Sequence, residues 1–137
     1  MKIRKAKLTD IKECSTVQKS DKEGNYWKEK DLQNCINDKH IIFLVAEDER
    51  KLIGYVIGFI VPSKKDEAMV HETRVLKKYR GKKVGTLLVN ELNKELFKKG
   101  AKIIYALIDH KLLPFYRESC KYEKSADWIQ MEKKLKG

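Results

Sequence analysis

The sequence predicts a single α/β domain, a mixed sheet with helices packed against it, and three observations carry that reading. Apolar, β-branched runs at residues 41–47 and 51–61 follow one another as strands do, and a further strand is expected at 67–75. A stripe of Val84, Leu88, Leu92 and Leu96 marks a long amphipathic helix directly after them. A near-continuous apolar run at 102–108 then supplies a strand expected to be buried on both faces. At 137 residues, 42% hydrophobic and 37% charged, the chain reads as one domain over 1–137 with a core that needs no disulfide or metal staple.

The elements follow in order. Residues 2–8 alternate as a first strand, and Thr9-Asp10 caps a helix carrying Ile11, Cys14 and Val17 at helical spacing. Residues 22–27 form a loop, and 31–37 a short helix with Leu32, Cys35 and Ile36 on one face. Asp48-Glu49-Arg50 is a tight turn, so the strands it joins are antiparallel, and Gly54 and Gly58 interrupt the second of them as bulges. Strand 67–75 leads into a basic turn, 76–83, and the helix from Val84 ends at Gly100. Residues 112–118 fit a short helix, and 122–135 a final strand or hairpin.

Charge narrows the function. Lys and Arg number 31 against 20 Asp and Glu, a net charge of +11. Ten basic residues between Arg74 and Lys102 face only Glu91 and Glu95, so this segment holds eight of the eleven net charges and should face an anion. A nucleic-acid-binding module would interleave aromatics or present a recognition helix. Here only Tyr79 interrupts the basic turn, and the helix from Val84 turns its apolar stripe inward, so that alternative is disfavoured. Abundant Lys and Glu also fit adaptation to heat.

The longest apolar stretch, 52–61, is too short to span a bilayer, and no apolar signal region opens the chain, so a soluble cytoplasmic protein is expected. Cys14, Cys35 and Cys120 are odd in number and far apart, without zinc-site or disulfide spacing. They read as reduced, buried thiols, and no metal site is expected.

The stretch from Val75 to Leu88 carries the chemistry: a strand end, a basic turn with Gly81, then a helix. Backbone N–H groups at a helix start lack intrahelical partners and sit at the positive end of the macrodipole, so a pyrophosphate can accept several hydrogen bonds there. By spacing alone an ordinary capped helix after a basic turn reads the same way.

This stretch resembles the coenzyme-A-binding motif of the GNAT N-acetyltransferases, a Gln/Arg-x-x-Gly-x-Gly/Ala turn after a strand ending in Val, matched by Arg80, Val84 and Gly85. Lys83 stands where the family usually has glycine. Ile3-Arg4-Lys5-Ala6 with Asp10 resembles the family's opening, and residues 43–48 with 52–58 resemble its central hairpin. Residues 113–118, with Phe115-Tyr116, resemble its Phe-Tyr segment, especially in members acting on arylalkylamines or amino sugars. The Gly-aromatic pair that follows appears as Lys121-Tyr122, one residue farther from Tyr116 than expected.

The resemblance implies a mostly antiparallel sheet and an N-acetyltransferase moving an acetyl group from acetyl-CoA to a primary amine by direct attack in a ternary complex. It implies cofactor contacts at Arg74, Val75, Arg80, Gly81, Lys82, Lys83, Val84, Gly85 and Thr86, and an acceptor pocket including Tyr26 and Trp27. Tyr116 would be the general acid. An alkylamine of pKa about 10.4 is neutral in roughly one molecule in 2,500 at pH 7, so a base must help. His71, four residues before Val75 and so expected on its face, occupies the position of a histidine base in the arylalkylamine-like members. Glu72, expected on the opposite face, is the second choice. A packed histidine and a core tyrosine are the structural alternatives, and an idle coenzyme-A-binding domain is the functional one. The acceptor, a small molecule or a protein amine, is open, as is a homodimer.

Overall fold

The computed structural model describes residues 1–21, 26–127 and 129–135. Five strands form one sheet in the order β1 (Lys2–Lys5), β2 (Ile41–Asp48), β3 (Lys51–Ile60), β4 (Glu67–Val75) and β5 (Ile103–Ala106). Neighbours from β1 to β4 are antiparallel and β5 is parallel to β4. Helix α3 (Val84–Lys98) covers one face, where Val84, Leu88, Leu92 and Leu96 join Ile42, Leu44, Ile53, Val56 and Val70 in one core. Helices α1 (Ile11–Lys19) and α2 (Glu29–Asn37) cover the other through Ile11, Cys14, Val17, Leu32 and Cys35 against Phe43, Val45, Tyr55 and Ile57. The three thiols are all free and buried, as expected. Among the described residues no helix is long and apolar enough to cross a membrane.

Two glycines set how closely α3 lies on the sheet. A Cβ at Gly58 would sit 2.8 Å from Leu92 Cδ2 and 2.9 Å from the Met69 carbonyl oxygen; one at Gly54 would sit 2.9 Å from the Arg74 carbonyl and 3.2 Å from Leu88 Cδ1. These residues, read from sequence as bulges, leave room for α3. The register does shift twice, between Ala46 and Glu47 of β2 and opposite Ile57 and Gly58 of β3. At the second shift Ile57 pairs with Glu72 and Gly58 with Val70, so the extra residue is His71 of β4.

The first strand ends at Lys5 rather than residue 8 because Asp10 gathers the chain. Its carboxylate accepts from the Lys7 N–H at 2.7 Å and pairs bidentately with the Arg4 guanidinium at 2.8 and 3.0 Å, while Arg4 Nε bonds Glu47 at 2.8 Å. Residues Leu8–Asp10 therefore turn as a 3₁₀ helix into α1. The Arg4 hydrogen bond holds the Asp10 carboxyl below its ordinary value of 3.8. The folded state thus binds fewer protons there than the unfolded chain, and the pair's stabilisation is full above about pH 4 and lost as pH falls through the lowered value. Asp10→Ala is expected to cost about 2 kcal/mol at pH 7. That difference should vanish in urea titrations run below the folded-state pKa.

The short helix expected at 112–118 is present: a 3₁₀ turn, His110–Leu112, runs through helical residues 113–114 into a π-helical turn, Phe115–Ser119. Two expectations are corrected. β5 is an edge strand of four residues, and Ile103 is half exposed, because nothing among the described residues covers its outer side. The final strand or hairpin at 122–135 is absent: the described residues 121–127 and 129–135 form no ladder, since an alternating segment without a partner is not a strand. Of the loop expected at 22–27, residues 22–25 lie outside the described residues.

Candidate active site

The β4–β5 ladder ends at the pair Val70 and Ala106, so β4 runs on from His71 to Val75 without β5 alongside. That open stretch of β4 lies between two groups of side chains, and the His71 bulge decides which residue joins which. Thr73 pairs with Val56 and Val75 with Gly54, setting both on the α3 face. Glu72 pairs with Ile57 and Arg74 with Tyr55, on the α1–α2 face. His71 joins the second group, its ring edge-on to Trp27 at 4.6 Å and near Phe59 at 6.0 Å. Strict alternation had put His71 with Val75 and opposite Glu72; the extra residue reverses both assignments.

On the α3 face, Gly81 and Lys83 both take left-handed conformations, φ +78° and +65°, and Lys83 is the N-cap of α3 without a side-chain cap of its own. The first N–H groups of α3 are therefore presented at the turn. A Cβ at Gly81 would meet nothing within 4 Å, so the approach there is open. Lys82, Lys83 and Arg80 are exposed around it, and the Lys78 and Lys82 ammonium groups stand 5.4 and 5.5 Å from the Tyr79 ring. The arrangement is a nest of donors ringed by cations. Lys83 keeps the backbone shape a glycine would give, at the steric cost a Cβ incurs with φ positive. Lys83→Gly is expected to stabilise the fold by about 0.5 kcal/mol, a small rise in melting temperature.

Gly85 is small for a reason: a Cβ there would press at 3.2 Å on the Phe115 ring. Phe115 in turn sets the buried Tyr116, whose hydroxyl lies 3.3 Å from Thr73 Oγ1. The π turn, closed by Cys120 N–H donating to the Phe115 carbonyl at 3.1 Å, absorbs the extra residue before Lys121-Tyr122. Lys121 is left-handed at φ +62°, again where glycine is usual, and Tyr122 returns to pack edge-on against Tyr116 at 5.5 Å. Tyr122 is pinned by donating to Asn93 Oδ1 at 2.7 Å. Burial pushes the Tyr116 phenol above its ordinary pKa of 10, so at neutral pH it is an O–H donor.

On the opposite face, both Glu72 oxygens are engaged, by the Tyr55 hydroxyl at 2.8 Å and Arg74 Nε at 2.7 Å. Asp21 ties Arg74, at 3.7 Å, to Arg80, at 2.7 Å, and Arg80 Nε also donates to the Val75 carbonyl at 3.2 Å. Arg74 thus reaches Glu72 and Asp21 on this face. The buried Gln18 side chain clamps the Trp27 backbone, accepting from its N–H at 2.9 Å and donating to its carbonyl at 2.6 Å. Trp27 and the exposed Tyr26 line a shallow groove of about 390 Å³ with Asp31 and Asn34.

A family model described as the acetyltransferase (GNAT) family matches residues 7–122. The chain belongs to the GNAT acetyltransferase family. Solved structures agree on the fold. One is an aminoglycoside acetyltransferase from an uncultured soil metagenomic sample, in complex with sisomicin, at 18% identity and TM-score 0.80, over 98% of this chain and 96% of that one. Another is an aminoglycoside 6′-N-acetyltransferase from Acinetobacter haemolyticus, at 15% identity and TM-score 0.81, over 99% and 100%. A third is a ribosomal-protein-alanine N-acetyltransferase from Brucella melitensis, at 17% and 0.75, over 98% and 100%. No curated protein matches. This GNAT acetyltransferase therefore has the expected mixed, mostly antiparallel sheet flanked by helices.

Thr73, Asn93, Gln18 and Asp21 had no signal in the sequence that marked them. Alternation alone puts Thr73 on the face of Val75, two residues on, but nothing in the sequence tied it to Tyr116.

Proposed function

We propose that this acetyltransferase transfers an acetyl group from acetyl-CoA to a primary amine by direct attack in a ternary complex. The observation that carries the reading is the open end of α3, turned by Gly81 and Lys83 in left-handed conformations, beside the part of β4 that runs on past β5 and next to Tyr116.

The residues fit the cofactor. The N–H groups of 82–86, with Arg80 and the lysines of the turn, suit a pyrophosphate, and the β4 backbone at Val75 suits an extended amide chain added like a strand. When bound, acetyl-CoA supplies an acetyl group activated as a thioester. The chain's own residues then have separate tasks. Tyr116, kept protonated by burial and positioned by Thr73, donates a hydrogen bond or proton to sulfur. His71, exposed beside Trp27, accepts the amine proton directly or through water. Glu72, held by Tyr55 and Arg74, is assigned to positioning rather than to proton transfer. The groove at Tyr26 and Trp27 receives the acceptor. The buried reduced thiols suit a reducing compartment, and we assign the enzyme to the cytoplasm.

Release of free thiol from acetyl-CoA, followed for a panel of amines with the wild-type chain and His71→Gln, tests this reading. Amine-dependent release, slowed in His71→Gln, is expected; no release above the amine-free rate with any amine would overturn it.

A further inference from the structure

We propose that Asp21 is a latch on the coenzyme site: in the free protein its carboxylate holds Arg80 across the open edge of β4, and acetyl-CoA binds by drawing that guanidinium away. The inference rests on the coenzyme reading above and names what regulates it. The Leu76 N–H donates to the Ile53 carbonyl at 2.8 Å, which makes Val75 and Gly54 a non-hydrogen-bonded pair of the antiparallel ladder. The N–H and C=O of Val75 therefore turn away from β3, towards the side that β5 leaves open beyond Ala106. An added strand has to pair with those two groups. One of them is already taken, because Arg80 Nε donates to the Val75 carbonyl at 3.2 Å.

Asp21 fixes that arrangement. Its Oδ2 lies 2.7 Å from Arg80 Nη2 and 3.7 Å from Arg74 Nη1, and Arg74 has its closer contact with Glu72, at 2.7 Å. Lys77, Lys78, Lys82 and Lys83 stand exposed in the same turn, and among the described residues none of them pairs with an acid. The one guanidinium of the turn, the group best shaped to grip a phosphate through two bonds, is thus the one held back. Both partners of the clasp are partly exposed, and an ion pair in contact with water is weak. A pyrophosphate, with more charge than one carboxylate, outcompetes it, and the Val75 carbonyl is released in the same movement. The latch therefore lowers affinity a few-fold without closing the site. While the site is empty, the clasp also blunts a strand edge open to pairing with another chain.

Calorimetric titration of acetyl-CoA into the wild type, Asp21→Asn, Arg80→Ala and the double variant tests this. Asp21→Asn should bind acetyl-CoA about threefold more tightly than the wild type, and most of that gain should be lost when Arg80 is already alanine. Equal or weaker binding by Asp21→Asn overturns the proposal. So does a gain of the same size in the Arg80→Ala background, which would show a carboxylate acting by charge alone. Nitrogen-15 NMR of the arginine side chains reads the clasp before any coenzyme is added: the Arg80 Nε–H of the wild type should exchange slowly with water, and faster in Asp21→Asn. Fast exchange in the free wild type overturns the latch even where acetyl-CoA binds. Absence of binding by all four proteins overturns the coenzyme reading, and the latch falls with it.

Discussion

Tyr116→Phe should lower kcat about 100-fold while leaving the Kd for acetyl-CoA within about twofold. The phenyl ring is retained, so packing against Phe115 and Tyr122 persists and the site keeps its shape. What disappears is the hydroxyl, 3.3 Å from Thr73 Oγ1 and kept protonated by burial. A donor aimed at sulfur acts on the departing thiolate and not on the ground-state complex, so the loss belongs in kcat. Thr73→Val, which removes only the partner, should fall between wild type and Tyr116→Phe. Pre-steady-state thiol release separates chemistry from product release. A Tyr116→Phe enzyme with wild-type kcat would make this residue a core aromatic and nothing more.

Gly58→Val should cost about 3 kcal/mol of stability and lower the melting temperature by roughly 10 °C. The new Cβ would lie 2.8 Å from Leu92 and 2.9 Å from the Met69 carbonyl, and the backbone oxygen cannot move aside as a side chain can. α3 must lift, and the turn that begins it moves too, so binding of acetyl-CoA should weaken along with the fold. Gly81→Ala, at an open position with φ +78°, should show the strain of a left-handed residue without any clash. Calorimetric unfolding of the two variants distinguishes close packing from backbone strain.

Much of this was readable from residues alone, and the parts that were not have definite causes. The bounds of β4 and α3 follow from patterns internal to each segment, alternation in one and a four-residue stripe in the other, and both came out as expected. The faces of His71 and Glu72 did not, because a bulge is a property of two paired strands and leaves no mark in either. Lys83 and Lys121 break the family's glycine pattern in sequence yet keep a glycine-like φ, so side-chain identity and backbone shape part company at both positions. The extra residue after Tyr116 looked like altered geometry and is taken up by the π turn instead. β5 was read as doubly buried because apolar composition does not say whether a neighbour exists. The tail was read as a strand for the same reason: alternation records a willingness to pair, and the partner decides the rest.

A calorimetric titration of acetyl-CoA into the wild-type chain, repeated with Lys82→Glu/Lys83→Glu, tests the central claim most directly. The account predicts micromolar binding, weakened at least about tenfold when two cations at the turn become anions. No heat of binding at millimolar acetyl-CoA, or equal affinity in both proteins, would contradict a coenzyme site at the start of α3.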